Sequence, residues 1–197
     1  MNIHKRENGD PADPTKQLLD KIQAIESRAD ELTSGLEDQS FSWSPEPGRW
    51  SVGECLEHLN LTAQAFLPLL DRAIDKGVPA RDPAAAIRPG LLGRGFIYIL
   101  EPPAKGRVKA PKSVRPPREL SMTTVTTRFA DAHQELANRI RRARSIELNR
   151  TKMRHPAIPV VRFSVGEIFE IVLAHERRHL WQAEKVRRQP AFPRSVA

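Results

Sequence analysis

The stretch 164-SVGEIFEIVLAHERRHLWQAEKV-186 holds a helix start, a helical face and two histidines in one run. Ser164 followed three residues on by Glu167 is a capping box, in which each side chain satisfies a backbone N–H at the other's position. From there Ile168, Val172, His175, His179, Gln182 and Val186 recur at steps of four and three, one line along a helix. The same four letters, Ser51-Val52-Gly53-Glu54, open an earlier run, with Val52, Cys55, Leu56, Leu59, Ala63, Phe66, Leu70 and Ile74 in helical register. Four matching letters are too few to establish duplication, so they are read as two helix starts. Pro68 falls inside the earlier run and is expected to bend or end that helix.

Two further helices complete the pattern. Leu18, Ile22, Ile25, Ala29, Leu32 and Leu36 form one stripe over residues 14–37, opened by Asp13 as cap and Pro14 in the first turn. Val125, Phe129, Ala132, Leu136, Ile140 and Ala143 form another over residues 123–145. The loop 41-FSWSPEPGRW-50 separates the first helix from the second, and Pro156 and Pro159 break the connection before the last. Residues 77–120 are irregular and rich in proline and glycine. Within them 96-FIYIL-100 reads as a short strand or a single helical turn, part of a segment folded back over the core. The reading is an all-α protein, a four-helix bundle with a long Pro/Gly-rich connection between helices 2 and 3. One domain spans residues 14–188, and residues 1–13 and 189–197 are expected to be flexible tails.

Composition narrows the function classes. The chain has 197 residues, of which 28% are charged and 39% hydrophobic, enough for one full-sized core. No apolar run reaches the ~18 residues of a membrane helix, and the polar start MNIHKRENGDPADP lacks the apolar core of a secretory signal. The single cysteine, Cys55, excludes an intrachain disulfide and reads as a buried core thiol. These features lead to the expectation of a cytoplasmic protein with no membrane partner. The net charge of +8 raises nucleic acid as a partner, but no aromatic residues interleave with Arg139, Arg141, Arg142 and Arg144 or with the basic loop 105–118. A solvated arginine-rich surface is the preferred reading.

His175-Glu176-Arg177-Arg178-His179 spells H-E-x-x-H, the zinc-peptidase pattern. A peptidase of that type needs a third ligand downstream. Lys185 stands where a later histidine would be, Gln182 where the glycine would be, and little chain follows. Glu176 is expected to face solvent, away from the apolar line. The textual match is therefore taken as coincidence. The histidine pair still needs an explanation, because two imidazoles one turn apart on a buried face each carry a nitrogen that must be satisfied. A divalent cation would satisfy both, since neutral imidazole is a favoured ligand. The third ligand would come from upstream: His4 lies in the tail, His155 in a proline-flanked loop, His133 on the third helix and His58 on the second. If the second and fourth helices run parallel, His58 and His175 differ by about 6 Å along their axes.

The segments 43-WSPEPGRWSVGECLEHL-59 and 173-LAHERRHLWQ-182 resemble the DinB-like superfamily of bundle proteins, over roughly residues 14–188. The family includes bacillithiol- and mycothiol-dependent transferases and isomerases. The resemblance implies a divalent metal, zinc or nickel, held by one histidine of the second helix and two of the fourth, here His58, His175 and His179. It also implies a small-molecule substrate and a low-molecular-weight thiol as cosubstrate; a homodimer is a separate expectation, raised with the non-catalytic alternative. Three histidines leave a coordination position for substrate, as catalytic zinc sites do. Gln182, one turn past His179, is a candidate hydrogen-bond donor behind it. Arg94 and Arg178 are candidates to meet carboxylates on the thiol. The first expectation is a metal-dependent thiol transferase. The alternatives are a metal-dependent hydrolase on the same residues and a non-catalytic metal- or ligand-binding bundle.

Overall fold

The computed structural model describes residues 13–103, 106 and 109–193; His4, with residues 1–12 and 194–197 of the expected tails, lies outside the described residues. Four long helices appear where the apolar stripes place them: α1 (Pro14–Thr33), α3 (Val52–Asp75), α5 (Met122–Ala143) and α6 (Val165–Arg187), with a short α2 (Asp38–Phe41) after the first. Asp13 caps α1 by accepting from the Thr15 N–H at 2.9 Å. Both capping boxes form: Ser51 with Glu54 opens α3, and Ser164 with Glu167 opens α6. The first helix ends before the expected residue 37, and Gly35 takes a positive φ of 72° between α1 and α2.

Pro68 does not end α3, which continues to Asp75. The turns beyond it are held from outside. Leu70 and Ile74 are buried, and Asp71 and Asp75 are bridged to arginines of α5. Tertiary packing there outweighs the missing backbone N–H.

Side-chain pairs fix the helix directions. Lys21 meets Glu170 at 2.6 Å and Arg28 meets Glu184, so α1 and α6 run parallel. Glu57 meets Arg128 at 3.0 Å and Asp71 meets Arg139 at 2.6 Å, so α3 and α5 run parallel too. Val78, just past the end of α3, donates to Thr151 Oγ1, and Val165 at the start of α6 donates to the Thr151 carbonyl. The end of α3 thus lies beside the start of α6, and these two helices are antiparallel. This corrects the parallel arrangement considered for them. His58 in the first third of α3 and the histidines about the middle of α6 still come level, because the helices have 24 and 23 residues and opposite directions.

Two elements lie outside the stripes. The connection before α6 is a hairpin, β1 (Lys152–His155) with β2 (Ile158–Ser164), antiparallel with Met153 opposite Phe163 on the buried face. Pro156 sits in its turn and Pro159 near the start of β2, where a two-stranded sheet tolerates the lost donor. The stretch read as a strand or single turn at 96–100 belongs to a ten-residue helix, α4 (Leu91–Leu100). It lies along α6, and Gly93 makes that approach possible: a Cβ there would stand 2.5 Å from the Glu167 carboxylate. A single 3-10 turn, Lys112–Val114, follows against α3. Among the described residues, no helix is long and apolar enough to cross a membrane.

The core fills the space between the four long helices. Leu56, Leu70, Leu173 and Leu180 are wholly buried. Each such side chain is worth about 1.5–3 kcal/mol relative to exposure.

Candidate metal centre

His58, His175 and His179 converge. One ring nitrogen from each lies within 4.8 Å of the others. Nε2 of His175 stands 3.3 Å from Nε2 of His58 and 3.0 Å from Nε2 of His179. The stripe explains the convergence: His175 and His179 are one turn apart on the α6 face that turns toward α3.

The surroundings fix the chemistry of each ring. Nδ1 of His58 donates to the Val114 carbonyl at 2.7 Å. A carbonyl only accepts, so Nδ1 carries the proton and the lone pair of Nε2 faces the other two rings. Burial lowers the pKa of His58, against the opposing effect of that bond. His175 is pushed down to about 3, first by burial and then by His58, Arg178 and His155. His179 is held well below the usual range by burial and then by His175, His58 and Arg178, while Gln182 works in the opposite direction. At neutral pH all three rings are uncharged and carry lone pairs.

Hydrogen bonding within the trio cannot satisfy it. Nε2 of His175 is the shared member of both short contacts and offers one proton or one lone pair, not both. Nδ1 of His179 is buried and makes no hydrogen bond. A divalent cation removes the difficulty. With metal–nitrogen bonds of about 2.0–2.1 Å in tetrahedral geometry, donor nitrogens stand about 3.3 Å apart, close to the spacings seen here. The residues fit the group.

Trp50, directly before the cap of α3, forms a wall of the site. Its ring centroid lies 4.8 Å from that of His58 and 5.5 Å from that of His179. Trp50 stood in the motif that carries the family resemblance, but nothing in its spacing revealed this contact. Val114 was also unforeseen; it comes from the long connection, which does fold back over the core.

The other candidates lie elsewhere. His133 is buried on α5, with Nδ1 donating to the Phe129 carbonyl at 2.9 Å and Nε2 3.4 Å from Glu176 Oε2. Glu176 is therefore not turned to solvent as expected but is 5% exposed, facing α5. His133 supplies the reason, since opposite charge at 3.4 Å offsets the burial of the carboxylate, though the two atoms make no hydrogen bond at that distance. His155 ends β1 among Phe66, Phe96 and Phe163. Cys55 is buried, and burial together with the Glu54 charge raises its thiol pKa. Arg178 donates to the carbonyls of Ile99 and Gly106, and Arg94 to that of Pro89.

Fold and site together define a helical-bundle protein with a largely buried three-histidine cluster, its His175 partly exposed, suited to a divalent cation. The chain belongs to the DinB superfamily, whose sequence profile matches residues 21–183. Among solved structures it is similar to YfiT from Bacillus subtilis, a probable metal-dependent hydrolase with an unusual four-helix bundle topology. The TM-score is 0.57 at 10% identity, over 91% of this chain and 89% of that one, a likeness of fold. No relative is found among curated protein sequences.

Proposed function

We propose that the protein is a divalent-metal-dependent enzyme that joins a low-molecular-weight thiol to an electrophilic small molecule, with zinc or nickel held by His58, His175 and His179. The observation that carries this reading is the convergence of three neutral imidazole nitrogens at 3.0 and 3.3 Å. A cation at that point supplies Lewis acidity, lowering the pKa of a thiol or water that reaches its remaining position. The chain's own residues do the rest. The Val114 carbonyl holds His58 in the tautomer that presents Nε2. The Trp50 ring lies against two of the imidazoles and keeps water from that side.

A thiol is favoured over water by what surrounds the trio. Activation of water for hydrolysis commonly uses a nearby carboxylate as proton acceptor. Among the described residues, no carboxylate joins the three rings. Glu176 is turned to His133, and Glu57 is engaged by Arg128 and Asn60. A thiol would need no such base, because coordination would lower its pKa far enough for solvent to take the proton. Hydrolysis is retained as the second reading, on the likeness of fold to YfiT.

Untagged protein should carry about one metal ion per chain by elemental analysis, and His58→Ala and His175→Ala should lose it. A panel of bacterial thiols and electrophiles should then show thiol consumption that needs the metal. Metal retained in both variants would remove the site. Loaded protein that consumes no thiol but cleaves amide or ester substrates would transfer the reading to hydrolysis.

A further inference from the structure

His155 stands where β1 turns into β2, inside a cage of three phenylalanine rings. Its ring centroid lies 5.2 Å from that of Phe66, 6.0 Å from that of Phe96 and 6.1 Å from that of Phe163. Phe66 and Phe163 are buried core residues, whereas His155 and Phe96 are half-buried. Nδ1 of His155 accepts from the Ala157 N–H at 3.2 Å, so the proton of the neutral ring sits on Nε2. Among the described residues nothing accepts from that Nε2. Burial lowers the His155 pKa, which keeps the ring neutral and this tautomer in place at pH 7.

The cage adjoins the metal centre. Phe66 lies two turns past His58 on α3. Gly93 against Glu167 and Glu101 against Arg177 show that α4 runs parallel to α6, so Phe96 comes level with α6 about one turn short of His175. Ile171, one turn before His175 on the same face of α6, is buried at that level. A proton on His155 is felt at His175, whose pKa it helps to depress. Of the trio, His175 is the partly exposed ring, while Trp50 lies against the other two. A ligand therefore approaches the trio on the His175 side, where the cage stands.

We propose that the cage binds an uncharged aryl ketone or enone, with its ring among Phe66, Phe96 and Phe163 and its oxygen accepting from His155 Nε2. The role of that compound as the electrophile rests on the thiol-transfer reading above; its binding does not. Three features select the class. Aromatic rings pair edge to face with phenylalanine at the spacings found here. One uncharged N–H suits a single carbonyl oxygen rather than a carboxylate. Arg178, the cation that acts on His175, is engaged by the carbonyls of Ile99 and Gly106 and is not free to meet an acidic thiol. His155 thus determines specificity for the electrophile.

The test is calorimetric titration of the zinc-loaded full chain with acetophenone, which has the ring and the oxygen, beside ethylbenzene, which lacks the oxygen. No thiol is added. Wild type should bind acetophenone with a Kd of about a millimolar or tighter. His155→Phe keeps the apolar packing but removes the donor, so it should weaken acetophenone about tenfold and leave ethylbenzene unchanged. Phe96→Ala, at a half-buried ring, should weaken both. Zinc content should stay at the wild-type level in both variants, which separates the cage from the trio. Wild type that fails to bind acetophenone at millimolar concentration overturns the proposal, as does an affinity indifferent to His155→Phe. Binding lost on removing zinc but kept in His155→Phe would put the oxygen on the metal and overturn it too. If acetophenone binds as stated but aryl enones consume no thiol, the site stands and the transfer reading falls. Thiol consumption equal with aryl and alkyl enones, and untouched by His155→Phe, sinks the cage alone.

Discussion

Replacing Glu176 with glutamine separates two meanings of the same five letters. In a zinc peptidase the glutamate of H-E-x-x-H is the catalytic base. Here its side chain is 7% exposed and lies 3.4 Å from His133 Nε2, across the α5–α6 contact. Burial disfavours a charged His133, but the nearby Glu176 carboxylate, the Phe129 carbonyl and Glu26 outweigh it, and the pKa is raised. At pH 7 an unpaired histidine is mostly neutral, with an unfolded pKa near 6.5. His133 can therefore release its proton when the carboxylate is lost, which keeps the cost below the ~3–5 kcal/mol of a stranded buried charge. Glutamine can donate to the neutral ring, so Glu176→Gln should cost about 1 kcal/mol, whereas Glu176→Ala, which leaves Nε2 without a partner, should cost about 2–3 kcal/mol. The first loss corresponds to about 2–4 °C in Tm for a chain of this size. The sign with pH follows from the raised pKa. The stabilisation is fully present below about pH 6.5 and fades as pH rises through the folded value, so wild type and Glu176→Gln should differ most on the acid side. Urea unfolding followed by circular dichroism between pH 5.5 and about 8 measures this, with metal content and turnover recorded alongside. A Glu176→Gln variant with unchanged stability but no turnover would make Glu176 a catalytic base and refute the reasoning.

Other predictions concern the site and its supports. In the metal-free protein the depressed pKa of His175, about 3, together with those of His58 and His179, means that stability present above pH 6.5 is lost as pH falls, because the unfolded chain takes up protons that the folded rings refuse. Adding metal should raise stability across this range without flattening its fall with pH, because coordinated rings refuse protons too, which acid titration of both forms would show. Trp50→Ala should weaken metal affinity about tenfold by releasing the orientation of His58 and His179, and Trp50→Phe should recover most of it, measured by competition with a chelator. Gly53→Ala should destabilise by about 1–3 kcal/mol, since its Cβ would lie 2.5 Å from the ring of Phe41, which is wholly buried.

What could be read from the sequence was what helices write locally. The stripes and capping boxes located the four long helices, and the steps from His175 to His179 placed both rings on one inward line. The family resemblance, not periodicity, selected His58 over His133, and the geometry brings that ring to the pair. Helix direction was not legible, because nothing in one helix's pattern says which end of another it meets; Thr151 bridging Val78 and Val165 settles it. The hairpin was masked by Pro156 and Pro159, which signal breaks whether a turn or a loop follows. Glu176 was misplaced because a charged residue beside an apolar line is normally solvated, and its partner His133 lies far away in sequence. Pro68 shows the converse, a strong local signal overruled by the contacts of Leu70, Asp71 and Ile74.

X-ray absorption spectroscopy at the metal edge of the loaded, untagged protein tests the central claim most directly. The account predicts three imidazole nitrogens at about 2.0–2.1 Å for zinc, and no protein-bound zinc signal in His58→Ala. A sulfur neighbour in the loaded protein without added thiol would implicate Cys55. That result, or a shell unchanged by His58→Ala, would contradict it.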